Sequence, residues 1–201
     1  MQLIKPLELL YIDDQIDPAL GKYLDGYSSE GYDITFQEIQ FIPECGYESL
    51  IDNPKVKAAN IIFVDSRLFE NRNAQQGKFT GEEFKLILKK YYPFIEVIVI
   101  TQNDADSELG IIQKYSTRDD GQTPSEYYEK LLPQYIEEAL RSLEQIWKVA
   151  KKIEQNRDLD QVLKEKILDL TKGIKVYDEF SKSDIDRLIA AFKEIQAGLE
   201  K

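Results

Sequence analysis

Apolar runs punctuate the first part of the chain, and each leads to a residue that can do chemistry. Leu9-Leu10-Tyr11-Ile12 ends on Asp13-Asp14, and Ile61-Ile62-Phe63-Val64 ends on Asp65. Val97-Ile98-Val99-Ile100 ends on Thr101, and the short run Ile111-Ile112 leads through Gln113 to Lys114. Continuous apolar runs of this length mark strands covered on both faces. They predict strands over 7–13, 60–65, 95–101 and 111–114. A fifth segment, 32–39, alternates polar and apolar residues and reads as an edge strand. Helix-like segments lie between these runs: 17–29, a short one at 47–58 weakened by Pro54, and 81–91 behind a Thr80/Glu83 capping box. Strands alternating with helices predict an α/β fold with a parallel sheet.

The texture changes after residue 121. Thr123-Pro124-Ser125-Glu126 is a strong helix start. Ile136, Leu140, Leu143, Trp147, Ala150 and Ile153 then recur at three- and four-residue spacing, which predicts one long helix over about 125–155. Two shorter helices follow, over 158–172 (stopping at Gly173) and 183–199 (capped by Ser183 and Asp186). The division is residues 1–122 as an α/β domain and 123–201 as a helical extension. The apolar stripe of the long helix packs on the later helices or pairs with a second chain in a homodimer.

Composition narrows the chemistry. The chain has 201 residues, no histidine and one cysteine, Cys45. Serine–histidine and cysteine–histidine catalysis are excluded, as are histidine-ligated zinc sites. No apolar run approaches the ~18–20 residues that span a bilayer. With no internal disulfide and no signal-peptide pattern at Met1–Pro6, the expected location is the cytoplasm. The net charge is −11, and all of it lies in residues 1–150, since residues 151–201 carry 11 basic and 11 acidic side chains. Without a basic stripe, nucleic-acid binding has no electrostatic footing.

If the runs form neighbouring strands of one parallel sheet, Asp13, Asp14, Asp65, Thr101 and Lys114 converge on its carboxyl edge, where ligands of doubly wound sheets bind. Three carboxylates suit a hard divalent cation, and a hydroxyl with an ammonium suits a phosphoryl group. Each residue also has a plainer reading: a turn for the acid pair, loop caps for Asp65 and Thr101, a surface lysine for Lys114.

The ordered set Ile12-Asp13-Asp14, Phe63-Val64-Asp65-Ser66-Arg67-Leu68, Thr80-Gly81-Glu82-Glu83-Phe84, Val99-Ile100-Thr101 and Gln113-Lys114 resembles the receiver domain of two-component response regulators. The resemblance covers about two-thirds of the chain. It implies a flavodoxin-like, five-stranded, doubly wound sheet and a phosphoacceptor at Asp65. It further implies Mg²⁺ held by Asp13, Asp14, Asp65 and the backbone carbonyl of Arg67, with Thr101 and Lys114 contacting the phosphoryl group. The implied donor is a histidine kinase or phosphotransfer protein, and the implied output is a protein partner rather than turnover.

The chain departs from the family at three positions. Gln102 replaces a small residue, Tyr115 replaces the proline after the lysine, and Ile111 stands where an aromatic switch is expected. Tyr115 is a candidate substitute for that switch. The 70–78 segment is a polar insertion, read as a partner-binding gate or a tolerated surface loop. The departures support an alternative, a pseudo-receiver that binds proteins without phosphoryl transfer. A Mg²⁺-dependent phosphatase or nuclease is disfavoured, because Asp13-Asp14-Gln15 lacks the Asp-x-Asp arrangement.

Overall fold

A computed structural model describes residues 4–68, 80–102, 111–116, 121–156 and 160–171. The insertion 70–78, Gly173 and the expected helix 183–199 lie outside these residues. The chain divides into two compact units, Met1–Leu143 and Glu144–Lys201.

In the first unit five parallel strands form one sheet in the order β2-β1-β3-β4-β5. They are β1 Lys5–Asp13, β2 Tyr32–Gln40, β3 Ile61–Asp65, β4 Glu96–Thr101 and β5 Ile112–Gln113. This is the flavodoxin-like winding, with its crossover point between β1 and β3. The alternating segment is the edge strand β2, as its pattern predicts. β5 is shorter than the 111–114 expectation.

Helices connect the strands. α1 (Pro18–Asp25) is capped by Asp17, whose side chain accepts from the Ala19 and Leu20 N–H groups. It ends four residues before the expected Ser29. The 47–58 segment is two helices, α2 (Glu48–Ile51) and α3 (Pro54–Ala58). Pro54 lacks an N–H and so begins a helix rather than continuing one. α4 (Gly81–Tyr91) carries the expected capping box, with both Thr80–Glu83 bonds formed. α5 runs from Pro124 to Gln155. It contains Pro133, whose missing N–H removes one i→i−4 bond. α6 spans Gln161–Thr171.

Residues alternate between sheet faces. Leu10, Ile12, Ile62, Val64, Val97 and Val99 share one face with Leu50, Val56, Phe84 and Leu88 in a continuous apolar core. Leu7, Leu9, Tyr11, Ile61 and Phe63 lie on the other face. There α1 and α5 bury Leu20, Leu24, Tyr128, Leu132 and Ile136. In the second unit Ile153, Leu163 and Ile167 are buried. Among the described residues no helix is long and apolar enough to cross a membrane.

Candidate functional site

Strand register places the site residues before any side chain is considered. Ile12 pairs with Val64 and Asp65 with Ile100, so β1 and β3 reach their acids at one level. Thr101 pairs with Gln113, which sends Lys114 off the end of β5 beside Thr101. The Lys114 N–H donates to the Thr101 carbonyl at 2.6 Å. Asp13 and Asp65 have the parity of Tyr11 and Phe63, so both lean toward the α1/α5 face.

Four of the five predicted residues are nearly inaccessible: Asp13 is 1% exposed, Lys114 3%, Thr101 5% and Asp65 7%. Charges buried this deeply persist only when paired. Lys114 Nζ donates to Asp13 Oδ2 at 2.6 Å and to Asp65 Oδ1 at 2.7 Å. Asp65 Oδ2 accepts the Arg67 N–H at 2.8 Å, and Asp13 Oδ1 accepts the Gln15 N–H at 3.0 Å. Burial nevertheless pushes the Asp65 carboxyl above the usual carboxylate range, outweighing Lys114. Burial also works against the charge of Lys114, but Asp65 and Asp13 prevail and hold it above the ordinary lysine value.

Asp14 is half-buried and completes the cluster. Carboxylate oxygens of Asp13, Asp14 and Asp65 lie within 4.8 Å of one another. This pocket is lined by three carboxylates, two of which Lys114 bonds. Its donors are all hard oxygens, with no histidine or thiolate, which fits Mg²⁺ or Ca²⁺ and not a softer metal. The Phe41 N–H donates to the Asp13 carbonyl at 2.8 Å, and Gln40 Nε2 to the Asp14 carbonyl at 3.3 Å. The edge strand thus fixes the acidic turn.

The segment after Asp65 is held just as closely. The Ser66 N–H donates to the Ile100 carbonyl at 2.7 Å, and the Gly81 N–H to the Ser66 carbonyl at 2.7 Å. Ser66 Oγ donates to Glu82 Oε1 at 2.8 Å. A Cβ at Gly81 would sit 2.5 Å from the Asp65 carbonyl oxygen, so only glycine lets α4 begin here.

The three departures are also placed. Gln102 is exposed beyond Thr101. Ile111 packs against the apolar core. Among the described residues no peptide is cis, the bond before Tyr115 included. The Tyr115 hydroxyl donates to the Gln122 carbonyl at 2.8 Å, and its ring meets Tyr127 edge-on.

Sequence reasoning missed one participant. Tyr11 is fully buried, and its hydroxyl donates to Asp13 Oδ2. Inside an apolar run it reads as core. The available signal was its position two residues before an acid, since a period of two puts both side chains on one face.

No protein-family model matches the chain, and no curated protein does. Among solved structures it is similar to the response regulator RcsB of Salmonella typhimurium, at 15% identity and a TM-score of 0.43, over 96% of this chain and 99% of that one. A two-component transcriptional regulator AraC from Clostridium phytofermentans ISDg is 17% identical, with a TM-score of 0.37, over 69% of this chain and 95% of that one. Likenesses this distant carry no functional weight. The sheet order and the strand-end acids, read from the chain itself, are those of a receiver-like fold.

Proposed function

We propose that this chain accepts a phosphoryl group on Asp65 and relays its phosphorylation state to a protein partner. The observation that carries the reading is the meeting of Asp13, Asp14 and Asp65, with Lys114 bridging two of them. The donor is a phosphohistidine on a histidine kinase or phosphotransfer protein, because this chain has no histidine of its own. An Asp65 carboxylate oxygen attacks phosphorus and the P–N bond breaks. The imidazole leaves with the electron pair and takes up a proton, and Asp65 becomes an acyl phosphate.

Asp13, Asp14, Asp65 and the Arg67 carbonyl hold Mg²⁺. When bound, the ion supplies positive charge against the oxygens gathering at the transfer site. Lys114 gives up its Asp65 contact and pairs with the phosphoryl group, and the Thr101 hydroxyl donates to a phosphoryl oxygen. The chain is an acceptor and relay, not an enzyme with turnover, and it works in the cytoplasm. Its C-terminal helices present the output surface or pair in a homodimer.

The test is beryllofluoride, a phosphoryl mimic. It is expected to bind with Mg²⁺, not without it, and not to Asp65→Asn. Acetyl phosphate with Mg²⁺ should add one phosphoryl group, read by intact-mass spectrometry. No mimic bound and no phosphoryl added would overturn the reading.

The departures favour a second reading. Gln102, Tyr115 and Ile111 suit a pseudo-receiver acting as a protein-binding scaffold. Partner binding unchanged in Asp65→Asn would select it.

A further inference from the structure

The pocket's hydrogen bonds do not stop at its carboxylates. Tyr11 Oη donates to Asp13 and accepts the Asp17 N–H at 3.2 Å. Asp17 Oδ2 accepts the Tyr128 hydroxyl at 2.9 Å. The Tyr128 oxygen in turn accepts the Tyr115 N–H at 3.1 Å. Tyr115 follows Lys114, whose ammonium returns to Asp13. The bonds close into a ring through β1, the cap of α1, the first turns of α5 and the end of β5.

Tyr11 holds the key position in that ring. Asp13 Oδ2 takes both the Tyr11 hydroxyl and the Lys114 ammonium, while Oδ1 takes the Gln15 N–H. A carboxylate has about four lone-pair positions, so this arrangement commits three and leaves one for a further ligand. The phenol therefore shares with Lys114 and the Gln15 N–H in setting which way Asp13 faces.

We infer that Tyr11 is a positioning residue of the cation site. It fixes the orientation of Asp13 and ties that carboxylate through Asp17 and Tyr128 to the Tyr115 backbone beside Lys114. This role rests on the phosphoryl-acceptor reading, because it concerns the same carboxylates. It extends that reading by naming a group outside the ligand set that sets the ligand's geometry. Partners that orient metal ligands change metal affinity by about 10–100-fold when removed.

The experiment compares the full-length wild type, Tyr11→Phe and Tyr128→Phe. Each variant deletes one hydroxyl and keeps the ring. Mn²⁺ binding is read by electron paramagnetic resonance of the free ion, with Mg²⁺ as competitor. Tyr11→Phe is expected to weaken binding about tenfold or more, and Tyr128→Phe by less than about threefold. A purely structural hydroxyl would lower the urea midpoint in both variants and split neither affinity. Amide exchange at Tyr115 supplies a second readout. Cation binding should change it in the wild type and leave it unchanged in Tyr11→Phe. Wild-type affinity in Tyr11→Phe, with the Tyr115 response retained, would overturn the inference and leave the acceptor reading standing. No cation binding by the wild type would overturn both.

Discussion

The two faces of the sheet solve the same packing problem with different materials. Toward α2, α3 and α4 the buried positions are almost wholly aliphatic or phenylalanine. The buried hydroxyl of Tyr92 donates there to the Ile51 carbonyl at 2.6 Å. Toward α1 and α5 the carboxyl end of the sheet buries two carboxylates and an ammonium, with Tyr11 and Tyr128 bonded to acids. One face contributes stability through surface removed from water. The other also buries Leu7, Leu9, Phe63 and Leu132, and at its carboxyl end it holds charges whose burial costs free energy unless every partner stays in place. Both faces bury apolar surface, but the buried charges of the site are separated onto one of them.

Substitutions can break that separation, and the largest effect is expected at Lys114. Lys114→Met leaves Asp13 and Asp65 facing each other without their shared cation. It should cost about 3–5 kcal/mol at neutral pH in urea unfolding. Added Mg²⁺ should restore part of that loss, because the ion binds the folded state alone. On the opposite face Leu88→Ala should cost about 2–5 kcal/mol through lost burial and a cavity. Its Mg²⁺ affinity should stay at the wild-type value. An affinity change there would show that the faces are coupled.

The smallest effect concerns alkaline pH. Tyr11, Tyr23 and Tyr128 are all raised above the ordinary tyrosine value of 10.0, each chiefly by burial, with Tyr23 pushed up to about 12. Lys114 is raised as well. Raised groups hold their protons longer folded than unfolded. Their stabilisation is therefore complete below pH 10 and lost as pH climbs toward their folded values. The thermal midpoint should begin to fall near pH 10. The loss should be about 1 kcal/mol for each buried tyrosine over the first pH unit above 10, with a shallower fall in Tyr11→Phe.

How much of this was legible in the sequence follows from how far each signal reaches along the chain. The strand ends were readable because each continuous apolar run stops at a polar residue. Asp13, Asp14, Asp65, Thr101 and Lys114 all stand at such stops. Both Thr/Glu capping boxes form as their spacing predicts, at Thr80 and at Thr123, where the Glu126 carboxylate accepts the Thr123 N–H at 2.8 Å. The split at Pro54 was half visible, because proline weakens a helix interior yet opens a new helix equally well. The hydroxyl ring was not legible. Tyr11 and Tyr128 are far apart in sequence and meet only through Asp17, whose local role as the cap of α1 explained it fully. Pro133 also gives no warning, since the amphipathic stripe of α5 runs straight through it.

Gly81 has a consequence out of proportion to its size. Any side chain there would collide with the backbone of Asp65 and Ser66, so the start of α4 lies directly against the tip of β3. A neutral-looking change such as Gly81→Ala would displace Asp65 without altering a single ionisable group. The vulnerability of the chemistry therefore extends to an atom that takes no part in it, the lone hydrogen where a methyl cannot fit.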